Sequence, residues 1–70
     1  MGYYNYHAQC KKLINSNHLI GASLFKRYKH ISPALVLYFD NHKPIPIREY
    51  KFNEYFELLK NLNIEIKQEK

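Results

Sequence analysis

The 70-residue sequence has no tryptophan, one cysteine, two glycines and a single acidic residue, Asp40, in its first 48 positions. Each scarcity excludes something. A lone thiol, Cys10, excludes an internal disulfide and any multi-cysteine zinc site within the chain, and it fits a reducing compartment. Glycine confined to Gly2 and Gly21 argues against flexible low-complexity sequence. The longest uninterrupted apolar run, Ala34 to Phe39, falls far short of the ~20 residues of a membrane-spanning helix. The opening MGYYNYHAQCKK lacks the apolar core of a signal peptide, and Tyr6 stands where a myristoylation motif wants Ser or Thr. The expectation is a soluble cytoplasmic protein with no membrane partner. The length suits one small domain, 1–70.

What is present is aromatic and basic. Seven Tyr and four Phe make up 16% of the chain. Such side chains bury about 150–250 Å² each. A domain near this size buries only about 60% of its unfolded surface, so large apolar side chains are needed to hold it.

Periodicity divides the chain. Tyr3, Tyr6, Cys10, Leu13 and Ile14 share one helical stripe over about 4–14, with Asn5 as a candidate cap and Asn15-Ser16-Asn17 as a stop. From Leu19 to Ile31 the period changes to two. Ile20, Ala22, Leu24 and Tyr28 share one face, Ser23, Phe25, Arg27 and Lys29 the other, and Gly21 marks a candidate bulge. Ser32-Pro33 ends that pattern. Ala34 to Phe39 is apolar at both parities, which predicts a central strand covered on much of both faces. A turn at Asp40–Pro44 leads to Ile45–Tyr50, whose proline cannot donate to a ladder, so the strand belongs at a sheet edge or carries a one-sided bonding pattern. Phe52, Tyr55, Phe56, Leu59 and Leu62 return to helical spacing, with Glu54 and Glu57 early and Lys60 late, as the helix dipole prefers. The tail alternates at Ile64 and Ile66; two residues leave open a short fourth strand over 63–67 or a fraying end. The predicted fold is α+β, ordered α-β-β-β-α, with a three-stranded antiparallel sheet and both helices on one face.

The charge is +5 and unevenly spread. Residues 1–48 hold seven Lys and Arg against one Asp, a balance of +6; residues 49–70 hold four Lys against five Glu, a balance of −1. A basic helix beside a basic hairpin suits RNA or DNA backbone. Lys11, Lys12, Lys26, Arg27, Lys29 and Arg48 are the candidate phosphate contacts. The densest run is Lys26-Arg27-Tyr28-Lys29-His30. In a strand its charges divide between two faces, whereas a loop lets them wrap one phosphate. The element order resembles that of double-stranded-RNA-binding domains, which read shape and 2′-hydroxyls. The resemblance is topological. Those domains carry a Lys-Lys pair and small residues at the start of the last helix, where this chain reads REYKFNEYFELLK.

Other constellations are weaker. His7, His18, His30 and His42 show neither the i, i+4 pairing nor the CxxC partner of a metal site, so no metal and no cofactor is expected. Cys10 lies on an apolar stripe and reads as a buried hydrophobe. A Cys10–His7 nucleophile pair would need a third, orienting group. Arg48 stands near Glu49 and Glu54, where an ion pair would fix the strand-to-helix corner; otherwise Arg48 and Tyr50 line a groove for a phosphate or carboxylate. Tyr4, Tyr38 and Tyr50 are candidate interface residues, since tyrosine is apolar at one end and wet at the other. They support the alternative function, a homodimeric protein-interaction or regulatory module. No triad, phosphate loop or carboxylate pair stands out, so a non-enzyme is expected.

Overall fold

The structure, a computed structural model, describes residues 6–69. The elements are α1 (Tyr6–Asn15), β1 (Leu19–Phe25), β2 (Ala34–Phe39), β3 (Ile45–Arg48), α2 (Phe52–Asn61) and β4 (Ile66–Gln68), with a 3₁₀ turn at Glu49–Lys51 leading into α2. The Tyr4 interface assignment and the Asn5 cap lie outside the described residues. Among the described residues, no helix is long and apolar enough to cross a membrane.

Both helices end in the same device. Asn17 and Asn63 adopt left-handed φ of 63° and 60°. After α1, the His18 N–H donates to the Leu13 carbonyl at 3.1 Å and the Asn17 N–H to Ile14 at 3.0 Å. After α2, the Ile64 N–H donates to Leu59 at 2.9 Å and the Asn63 N–H to Lys60 at 3.1 Å. This is the Schellman arrangement with asparagine in glycine's usual place, and asparagine tolerates that backbone better than most side chains. The stop expected at Asn15-Ser16-Asn17 is realised there.

The sheet has four strands in the order β3-β2-β1-β4. β2 pairs antiparallel with β1 and with β3, whereas β4 pairs parallel with β1. The sheet is therefore mixed, a correction to the purely antiparallel expectation. The reason is direction. β3 runs the same way as β1, and α2 then carries the chain back, so the strand that follows runs parallel to both. The fourth strand exists, at Ile66–Gln68 rather than over 63–67. β2 is central and β3, with Pro46, is an edge, as the apolar run and the proline require.

Both helices cover one face. Cys10, Leu13 and Ile14 of α1 and Tyr55 and Leu59 of α2 join Ala22, Leu35, Leu37, Phe39, Ile45 and Ile47 in one buried cluster. Ala34, Val36 and Ser23 are buried on the opposite side of the sheet, and no described helix lies there.

β1 departs from its predicted face. Leu19 pairs with Phe39 and Gly21 with Tyr38, so Ile20 is the extra residue of a bulge. One inserted residue reverses the parity upstream of it. Leu19 packs against the core, and Ile20 is 64% exposed. Strand pairing also stops at Phe25, short of the predicted Ile31, and the chain continues as a looped connection to β2.

Candidate nucleic-acid interface

The β1–β2 connection, residues 26–33, is braced from within. A turn at Tyr28–Ile31 closes through a reciprocal pair of backbone bonds, 2.8 Å from the Tyr28 N–H and 2.9 Å from the Ile31 N–H. The Ser32 hydroxyl donates to the Lys26 carbonyl at 2.8 Å, and Arg27 Nε donates to the Lys29 carbonyl at 3.4 Å. The Tyr28 ring packs on Phe25 with centroids 5.4 Å apart, and the Lys29 ammonium sits 5.6 Å from the Tyr28 centroid. Lys26, Arg27, Lys29 and His30 are all exposed. The loop, rather than a strand, resolves the alternation problem of this basic run, since its side chains need not divide between two sheet faces.

Lys29 has φ 56°, a left-handed conformation that glycine fills without cost. A lysine there costs roughly 1–2 kcal/mol of local strain. The position thus holds a cationic side chain at the expense of backbone comfort.

Strand register brings a fourth cation to the same end. Arg48 stands opposite Ala34, and Ala34 opposite Phe25, the residue that leads into Lys26. Arg48 is exposed and, by alternation with buried Ile45 and Ile47, lies on the helix-free face. Among the described residues no carboxylate pairs with Lys26, Arg27, Lys29 or Arg48. Among the described residues the expected corner ion pair of Arg48, with Glu49 or Glu54, does not form. Glu54 turns instead to the helix layer, where it pairs with Lys11 and, at 3.4 Å, with Lys51. The hydrogen bond from Lys11 is the main reason the Glu54 carboxyl is held below its ordinary range, and Lys51 adds to it.

The six predicted phosphate contacts are therefore not one surface. Lys26, Arg27, Lys29 and Arg48 share the hairpin end of the sheet. Lys11 is engaged by Glu54 between the helices. Lys12 lies in the last turn of α1, toward the far end where β1 begins. Nearby carboxylates at the hairpin end are Glu49, exposed beside Arg48, and Glu69, whose N–H donates to the Leu24 carbonyl and whose side chain accepts from Ser23.

The predicted interface tyrosines are separated too. Tyr38 is half-buried on the helix-free face opposite Gly21, toward the far end. Tyr50 is 74% exposed in the 3₁₀ turn beyond Arg48, at the hairpin end. The groove beside Lys11, Ile14 and Glu54 and the one beside the β1 bulge are lined by neither Arg48 nor Tyr50.

Comparison with protein-family models, curated proteins and solved structures finds no match for the chain.

One site escaped the sequence reading. A groove of about 440 Å³ runs beside the β1 bulge, lined by Ile20, Gly21, Ser23, Tyr38, Glu65 and Lys67 among others. Gly21 was legible as a bulge marker. Its meeting with Tyr38 and with β4 depended on pairing that no local pattern encodes.

Proposed function

We propose that the chain binds nucleic acid through its phosphate backbone, gripping with Lys26, Arg27, Lys29 and Arg48. The observation that carries this reading is their convergence. Three exposed cations on one internally braced connection share a sheet end with a fourth from β3, and none of the four is paired to a carboxylate among the described residues. A braced loop presents charge with less ordering cost on binding than a floppy one. Lys11 does not belong to this grip, because Glu54 already neutralises it.

Counterion release gives the test its numbers. If all four cations neutralise phosphates, log K falls against log salt with a slope of about −3.6 on a duplex and about −2.8 on a single strand. Fluorescence anisotropy of labelled RNA between low and moderate salt measures both. Replacing Arg27, Lys29 and Arg48 by serine is expected to flatten the slope by about 1 per residue removed. A charge-matched control replacing Lys12, Lys43 and Lys60, which lie toward the other end, keeps most of it. Absence of binding at low salt, or equal loss in the control, overturns the proposal.

A further inference from the structure

We infer that the groove at the β1 bulge seats one base of a single-stranded nucleic acid, stacked against the Tyr38 ring. This deepens the proposed function and rests on it.

The argument begins with Gly21. Its φ is not positive, so the backbone does not demand glycine. A Cβ built there would meet nothing within 4 Å, so packing does not demand it either. What the missing side chain does is leave the groove open directly opposite Tyr38, its cross-strand partner. The bulge supplies a second wall. It pushes Ile20 out of the core to 64% exposure, an apolar side chain lining the groove instead of the interior.

The remaining lining decides the occupant. An aromatic wall and an apolar wedge favour a flat, partly apolar ring. Lys67 and Glu65 stand on the β4 side of the same groove. An ammonium complements a phosphate, and a carboxylate accepts from the exocyclic amino groups of bases. A nucleotide unit offers all three: a ring, ring donors and an anion. Glu65 disfavours a bare phosphate chain in the groove, so the base and not the backbone occupies it. The direction of travel also fits. β1 runs from Gly21 to Phe25, about 13 Å at ~3.3 Å per residue, and delivers the strand to the basic connection and Arg48. Bases already paired and stacked in a duplex cannot enter such a groove, so the preference is for single strands.

The test compares a labelled single-stranded RNA with a duplex of the same length, by anisotropy, on the full chain. Gly21→Leu fills the groove at a position where the structure leaves room, and Tyr38→Leu keeps apolar bulk while removing the ring. Ile20→Ser changes only an exposed side chain and covers the case in which either of the others fails to melt cooperatively. The expected result is a loss of about five-fold or more in single-strand affinity, the lower end of what one stacked base contributes, with the salt slope and any duplex binding unchanged. Folded variants that bind the single strand as the wild type does overturn this inference and leave the phosphate grip standing. Failure of the wild type to bind either nucleic acid overturns both. Saturable uptake of a basic peptide in the groove without nucleic-acid binding overturns both as well.

Discussion

The Cys10 thiol and the Tyr55 hydroxyl are hydrogen-bonded neighbours between the two helices, each on a side chain with no solvent exposure. Burial pushes the Cys10 thiol up to about 11 and moves the Tyr55 hydroxyl in the same direction. Both groups are neutral when protonated, so each raised value favours the folded state below its ordinary range. Stability held by Cys10 is present in full below about 9 and is lost as pH rises through about 11. Thermal melts between pH 8 and pH 11 check this (both about the practical range for such a scan). The wild type is expected to lose roughly 2–3 kcal/mol from the thiol alone across that window. Cys10→Ala is expected to be less stable at neutral pH, with a shallower alkaline decline. An equal alkaline slope in the two proteins would show that the thiol is not the responsible group.

Glu54 carries the acid-side prediction. Its carboxyl lies below the usual range because of Lys11 first and Lys51 second. A depressed carboxylate stabilises the fold above its ordinary pKa, and that contribution disappears as pH falls through its folded value. Glu54→Gln is expected to flatten the acid limb of a pH–melting profile. It also frees the Lys11 ammonium. If phosphate binding is electrostatic, the variant binds RNA at least as tightly as the wild type at low salt. A weaker-binding but fully folded Glu54→Gln protein would argue that Glu54 itself takes part in recognition.

Lys29 separates stability from binding. Lys29→Gly relieves the left-handed strain at φ 56° while adding unfolded-state entropy, so its net effect on stability stays within about 1 kcal/mol. Lys29→Val forces a β-branched side chain into the same backbone and is expected to be clearly destabilising. Both lose the charge, so both should reduce the salt slope by about 1. Chemical denaturation together with anisotropy distinguishes the two effects. A Lys29→Gly protein with an unchanged slope would remove Lys29 from the grip.

Much of the fold follows from local pattern. Ala34–Phe39 is apolar at both parities, and β2 is indeed central with both faces largely covered. Pro46 cannot donate to a ladder, and β3 lies at an edge. The second helix follows from Phe52, Tyr55 and Leu59, two turns of one stripe. These features depend on residues close in sequence, and short-range sterics and alternation are enough to decide them.

What the tertiary structure decided depends on which strand meets which. The bulge at Ile20 puts Leu19 against the core and Ile20 outside it because β1 must keep register with Phe39 and Tyr38, a constraint that lies in β2. β4 is parallel because α2 reverses the chain across the helix layer, a matter of path rather than of Ile64 and Ile66. Lys11, read from sequence as a phosphate contact, is neutralised by a Glu54 far along the chain, and Arg48, expected to pair with Glu49 or Glu54, pairs with neither and stands at the sheet end that leads into the basic connection. Sequence by itself determined the composition of this protein: scarce glycine, one thiol, abundant tyrosine and a basic first two-thirds. The packing of two helices on one face decided where that charge is cancelled and where it is exposed, because the pairing of distant charges is set by which elements touch.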